Sequence, residues 1–144
     1  MTETSEKVYT YDEVKAILEE IVRDFGADYS YKRPATMGTT GSNCYYVHEN
    51  EDGICTPGCI IGHLLDRLNL INLRETVLSF KNAQQIEEFL RISNLEERFT
   101  RKARNLMYFV QMKQDMSGTP WSEALAYGID QVSDLNESGW REQD

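Results

Sequence analysis

Apolar residues at Val14, Ile17, Leu18, Ile21, Val22 and Phe25 recur at the three- and four-residue spacing of a helix with one buried stripe. Thr10 and Glu13 precede that stripe as a T-x-x-E capping box, Tyr9 is placed to staple onto Val14, and Gly26 supplies a left-handed stop. The pattern predicts a helix over about 11–25. Ala27, Tyr29 and Tyr31 then alternate with polar residues, the period of a short strand. Pro34, Gly38 and Gly41 break any regular element, so TMGTTGS reads as a mobile loop and a candidate lid. NCYYVH, the turn chemistry of ENEDG and a returning IC predict a hairpin over 43–55, with Val47 opposite Cys55.

A second helix is predicted from the Thr56 cap and Pro57 at the first position, running to Leu68 or Leu70. Ile61, Leu64, Leu65 and Leu68 make its core stripe, while Cys59, His63 and Asp66 lie almost opposite. Downstream the chain is mostly helical. Asn82 and Gln85 precede IEEFL as one capping box, and Asn94 and Glu97 precede a helix over about 95–116 as another. The stripe of that longer helix is Leu95, Phe99, Ala103, Leu106 and Val110, and Gly118 ends it. Thr119-Pro120 starts a last helix in which Trp121, Leu125 and Ile129 share a face. The expected fold is α+β, four or five helices on a small antiparallel hairpin or three-stranded sheet. Residues 1–8 are expected to be flexible, 9–132 to form one globular domain, and 133–144 to be an acidic tail that frays.

Charge narrows the function classes. Fifteen Lys and Arg against 24 Asp and Glu give a formal net charge of −9. Such a surface repels phosphate backbones, so direct nucleic-acid binding is disfavoured. The densest basic stretch, Arg98, Arg101, Lys102 and Arg104, reads as the solvated face of a helix, with a patch for an acidic partner as the alternative. No apolar run is long enough to span a membrane, and MTETSEKVYTYDE is too polar and acidic for a signal or transit peptide. Three cysteines without a disulfide framework point to a reducing, cytoplasmic setting. No phosphate loop, GxGxxG, GxSxG or HExxH is present.

The stretch CTPGCIIGHLLDRL holds the one candidate site. In a catalytic reading, Cys59 sits in the first helical turn, where free amides and the helix dipole activate a thiol; His63 takes its proton and Asp66 orients the imidazole. Residues on one helix stack along its axis, however, and triads usually draw their members from separate elements. In a metal reading, Cys44, Cys59 and His63 form a zinc half-site one ligand short of a closed structural site. His48 cannot join Cys44 there, because extended chain separates them by roughly 13 Å. In the third reading Cys44 and Cys59 are small buried residues that pack hairpin on helix, His63 bonds a backbone carbonyl or Asp66, and Gly62 lets another backbone approach. The tyrosines of the first third, Trp121, and Met107, Met112 and Met116 each have a packing role as the default and a binding surface as the alternative.

The order YTYDEV, GADYSY, CYY with the turn and PGCIIGHLL, and QDMSGTPWSEAL resembles small uncharacterised proteins of actinobacteria and their bacteriophages. The resemblance runs from about residue 9 to residue 126. It implies a phage-encoded or host accessory protein rather than a metabolic enzyme, acting in the host cytoplasm. Taken together, these features lead to a non-enzymatic interaction protein without a required cofactor, which docks an acidic, tyrosine-bearing surface onto a basic protein and modulates it. A small thiol enzyme using Cys59, His63 and Asp66, and a zinc-stabilised module, are the alternatives.

Overall fold

The Glu13 amide donates to Thr10 Oγ1 at 3.3 Å and the Thr10 amide donates to Glu13 Oε1 at 3.0 Å, which closes the expected capping box. The computed structural model of the protein describes residues 7–32, 45–116 and 118–140. Helix α1 spans Tyr11–Phe25 and stops at Gly26, whose φ of 97° a side chain would oppose. Its Val14, Leu18 and Ile21 are fully buried. The alternation at Ala27, Tyr29 and Tyr31 does not become a strand. Ser30 forms one isolated bridge to Pro120, and the Trp121 amide donates to the Tyr29 carbonyl at 2.7 Å. That segment therefore holds the start of the last helix instead of widening the sheet.

The hairpin forms as β1 (Val47–Glu49) antiparallel to β2 (Cys55–Pro57). Val47 pairs with Pro57 and Glu49 with Cys55. The predicted register is thus off by two residues, a slip that keeps every side chain on its expected face. Within the turn, Asn50 Oδ1 accepts from the amides of Asp52 and Ile54, both at 2.9 Å.

Thr56 and Pro57 do not start the next helix; they belong to β2. The chain stays extended through Gly58 because the Gly58 amide donates to the Tyr46 carbonyl at 2.8 Å and the Cys59 amide to the Tyr45 carbonyl at 2.9 Å. Helix α2 then runs Ile60–Arg67 with Cys59 as its N-cap, so Cys59 lies outside the helix rather than in its first turn. Gly62 permits this contact. A Cβ there would overlap the Tyr46 carbonyl oxygen and stand 2.8 Å from its carbon. Ile60, Ile61, Leu64 and Leu65 are buried.

Helix α3 (Leu73–Val77) is capped by Asn72 and leads into a 3₁₀ turn at Phe80–Ala83. Helix α4 spans Ile86–Ile92, α5 spans Arg101–Gln114 and α6 spans Trp121–Val132. Asn82 does not cap α4. Its buried side chain pairs with both backbone groups of Val47, accepting from the amide at 2.9 Å and donating to the carbonyl at 3.0 Å. The long helix predicted from residue 95 is also split. Asn94 adopts φ 58°, residues Glu96–Arg98 form a 3₁₀ turn, and Phe99 is extended beside Tyr9. The Tyr9 amide donates to the Arg98 carbonyl at 2.8 Å and the Thr100 amide to the Tyr9 carbonyl at 3.0 Å, so tertiary pairing overrides the helical pattern and Thr100 becomes the cap of α5. The stripe Leu95, Phe99, Ala103, Leu106 and Val110 is nevertheless buried throughout.

Among the described residues six helices thus pack with a two-stranded antiparallel sheet, an α+β arrangement. Helix α5 sits centrally and meets α1, α2, α4 and α6. Two of its buried side chains terminate other helices. Gln114 Oε1 accepts from the Ile60 amide and Gln111 Oε1 from the Ile86 amide, both at 3.0 Å, satisfying first-turn donors of α2 and α4. Gln111 Nε2 also donates to Tyr46 Oη at 2.8 Å, and Tyr46 Oη donates to the Gln84 carbonyl at 2.7 Å. The C-terminal segment contacts the rest of the fold at Glu137: its Oε1 accepts from Thr100 Oγ1 at 2.7 Å and from the Tyr11 amide at 3.2 Å, while its carbonyl accepts from the Lys102 amide. No helix among the described residues is long and apolar enough to cross a membrane.

Candidate functional site

The two contacts at Gly58 and Gly62 press the N-terminus of α2 against the hairpin, and this determines what Cys59 can do. Cys59 is fully buried. Its Sγ accepts a hydrogen bond from the Gly62 amide at 3.4 Å, which makes the thiol a helix cap. A substrate in solvent has no direct access to that sulfur. Cys55 is the more accessible thiol, half-buried in β2.

His63 lies one turn further along α2 and faces an aromatic cluster rather than the sulfur. Its ring centroid is 4.8 Å from that of Phe25 and 5.5 Å from that of Trp121, both edge-on. Tyr29 completes the cluster, 4.7 Å from Trp121 and 4.9 Å from Phe25. Burial among these rings, with smaller contributions from the positive charges of Arg67 and His48, lowers the His63 pKa from 6.5 to about 4. The imidazole is therefore neutral at physiological pH. Trp121 is fully buried, and its Nε1 has no acceptor among the described residues. The tryptophan is the packing anchor of α6.

Asp66 is half-buried on the same helix. Among the described residues no side-chain hydrogen bond joins it to His63, and His63 is joined to Cys59 only through the backbone, its amide donating to the Cys59 carbonyl at 3.0 Å. The structure thus places the sequence-predicted trio on or beside one short helix without linking their side chains. His63 also makes neither of the hydrogen bonds expected of it, because ring contacts replace them. For the zinc half-site, Cys44 lies outside the described residues, as does the TMGTTGS loop. Among the described residues no group of three metal-ligating side chains gathers. The other histidine, His48, is engaged by Tyr31: Tyr31 Oη and His48 Nε2 are 2.8 Å apart, and the same hydroxyl accepts from the Tyr45 amide at 3.0 Å.

The tyrosines divide. Tyr11 and Tyr46 belong to the core, whereas Tyr9, Tyr29 and Tyr31 pack at its rim. Large apolar side chains are exposed elsewhere as well, Trp140 among them. Leu78 is 74% exposed, Phe80 is 72% exposed and Ile54 is 56% exposed. Leu78 and Phe80 follow α3, and Ile54 follows the hairpin turn. Arg74 ties these two regions together, donating to Glu49 Oε2 at 2.7 Å and to the Gly53 carbonyl. No periodic signal marks Leu78 and Phe80, since LRETVLSFKNA holds a five-residue helix and a 3₁₀ turn, both too short to set a stripe. Comparison with known proteins gives no match, whether to a family model, to a curated protein or to a solved structure.

Proposed function

We propose that the protein is a non-enzymatic accessory protein, of the actinobacterial or phage kind that the sequence resembles, acting in the cytoplasm by binding a basic protein. The observation that carries this reading is the exposure of Leu78 and Phe80 next to one another on a braced segment. Two large apolar side chains left in water are held there by the Asn72 cap and by the Ser79 side chain, which accepts from the Lys81 amide at 3.2 Å. Such side chains serve as anchors for a partner's pocket. Glu75 on α3 and Glu51 and Asp52 in the hairpin turn are exposed, and the chain as a whole carries −9. A partner that presents an apolar pocket rimmed by lysine or arginine complements both features, and a nucleic-acid-binding protein carries such a rim on the surface that this protein would occlude.

The test places a photo-crosslinking amino acid at position 79 and exposes the protein to an actinobacterial lysate, in parallel with the double variant Leu78→Ser/Phe80→Ser. The expected result is one basic protein crosslinked through position 79, with retention at least tenfold lower for the double variant and reduced by added salt. Equal retention by the double variant, or crosslinking to no discrete protein, would refute the reading.

A further inference from the structure

A cleft of about 780 Å³ opens between α4, α5 and the end of α6, on residues that the interaction surface does not use. Its size is that of a small-molecule site. Its apolar lining is Ile86, Leu90, Phe109 and Leu135; Ile86 and Leu90 are almost fully buried, so Phe109 and Leu135 supply the accessible part. Its polar lining includes Arg101, Arg104, Tyr108 and Gln131. These polar side chains are short of partners. Arg101 makes no ion pair among the described residues, and neither the Tyr108 hydroxyl nor the Gln131 amide makes a hydrogen bond there. Arg104 Nε is buried without an acceptor, and its nearest carboxylate, Glu96, stands 4.0 Å from Nη1, beyond hydrogen-bonding distance. A buried guanidinium N–H without an acceptor is rare in folded proteins.

The first of the two arginines is also held in place. Arg101 is the first residue of α5 and Arg104 lies one turn along, where the positive helix end opposes further cations and favours an anion. The docked C-terminal turn fixes the Arg101 stem: a Cβ at Gly139 would stand 2.6 Å from Arg101 Cγ, so only glycine lets the turn close over it. We infer that this cleft binds a small organic anion, with a single carboxylate or phosphate head on Arg101 and Arg104 and a flat apolar body against Phe109 and Leu135. Glu87 and Glu96 also line the cleft and bring its formal charge close to neutral. They exclude polyanions such as nucleic acid and limit the ligand to one anionic head.

Site-resolved amide NMR titration of the full chain tests this with phenyl phosphate and phenylacetate as probes, which separate the phosphate from the carboxylate head. Inorganic phosphate and phenol serve as comparators that lack the body or the charge. The expected result is saturable binding of at least one aromatic anion, with shifts confined to α4, the first two turns of α5 and the end of α6. Affinity should be at least tenfold weaker for each comparator and for Arg101→Gln. That variant changes an exposed, unpaired side chain and retains the fold, which its own spectrum verifies; Arg104→Gln is the second variant. Absence of saturation by either aromatic anion, equal binding of inorganic phosphate, or unchanged affinity in both variants would overturn the inference.

Discussion

Glycine inside a helix is normally a weak point, and replacing Gly62 by alanine would ordinarily stabilise α2 by about 1 kcal/mol. The structure reverses that sign. The new Cβ would overlap the Tyr46 carbonyl oxygen and lie 2.8 Å from the carbonyl carbon and 3.0 Å from Cα, all backbone atoms that cannot rotate away. The hairpin must therefore move off α2. Two hydrogen bonds stretch when it does, Gly58 to Tyr46 at 2.8 Å and Cys59 to Tyr45 at 2.9 Å. Each contributes about 1 kcal/mol net. Overpacking adds roughly 1–3 kcal/mol. Subtracting the propensity gain leaves a net loss of about 2–4 kcal/mol, a large part of the stability of an ordinary domain. With a urea m-value of roughly 2 kcal/mol per molar, the midpoint should fall by about 1–2 M. Amide exchange at Gly58 and Cys59 should accelerate together. A midpoint unchanged or raised in Gly62→Ala would show that helix and hairpin are not in contact there and that Cys59 is not held buried between them.

The remaining expectations use the same geometry. His63 is held neutral in the fold, with its pKa lowered from 6.5 to about 4, whereas the unfolded chain takes up the proton at the ordinary value; its contribution is complete above pH 6.5 and is lost as pH falls towards 4. Urea unfolding of wild type should weaken more between pH 7 and pH 5 than that of His63→Phe, and parallel losses would contradict the assignment. Gln114→Leu leaves the Ile60 amide without its acceptor and should destabilise the protein by about 1–3 kcal/mol, read as a lowered urea midpoint. Mass-spectrometric mapping of thiol labelling at pH 8 should find Cys55 modified well before Cys59, and the order should disappear in urea. Leu78→Ser/Phe80→Ser should change stability by no more than about 0.5 kcal/mol, because those side chains bury little area; a larger loss would mean they pack in the fold rather than await a partner.

Local chemistry determined much of this protein. The Thr10–Glu13 box, the stripe of α1, the leucines of α2, the hairpin turn at Asn50 and the core positions of α5 all follow from side chains within a few residues of one another. Such signals are readable because propensity, capping and amphipathic spacing act over one or two turns of chain. Gly62 belongs to the same class, since a glycine among leucines already announced a close neighbour, although not which one. Only the tertiary structure decided where elements begin. Thr56 and Pro57 are drawn into β2, Phe99 is extended by Tyr9, and Asn82 is taken by Val47, each through a partner from another element. Gln111 and Gln114 cap helices that start 25 and 54 residues away. The candidate site divides in the same way. Residue types and spacing placed Cys59, His63 and Asp66 near one helix face, but what Cys59 and His63 touch depends on Tyr45, Phe25 and Trp121, which reach the site from elsewhere in the fold. A local pattern fixes which side of an element is apolar; the free energy of pairing distant backbone groups fixes its ends and its neighbours.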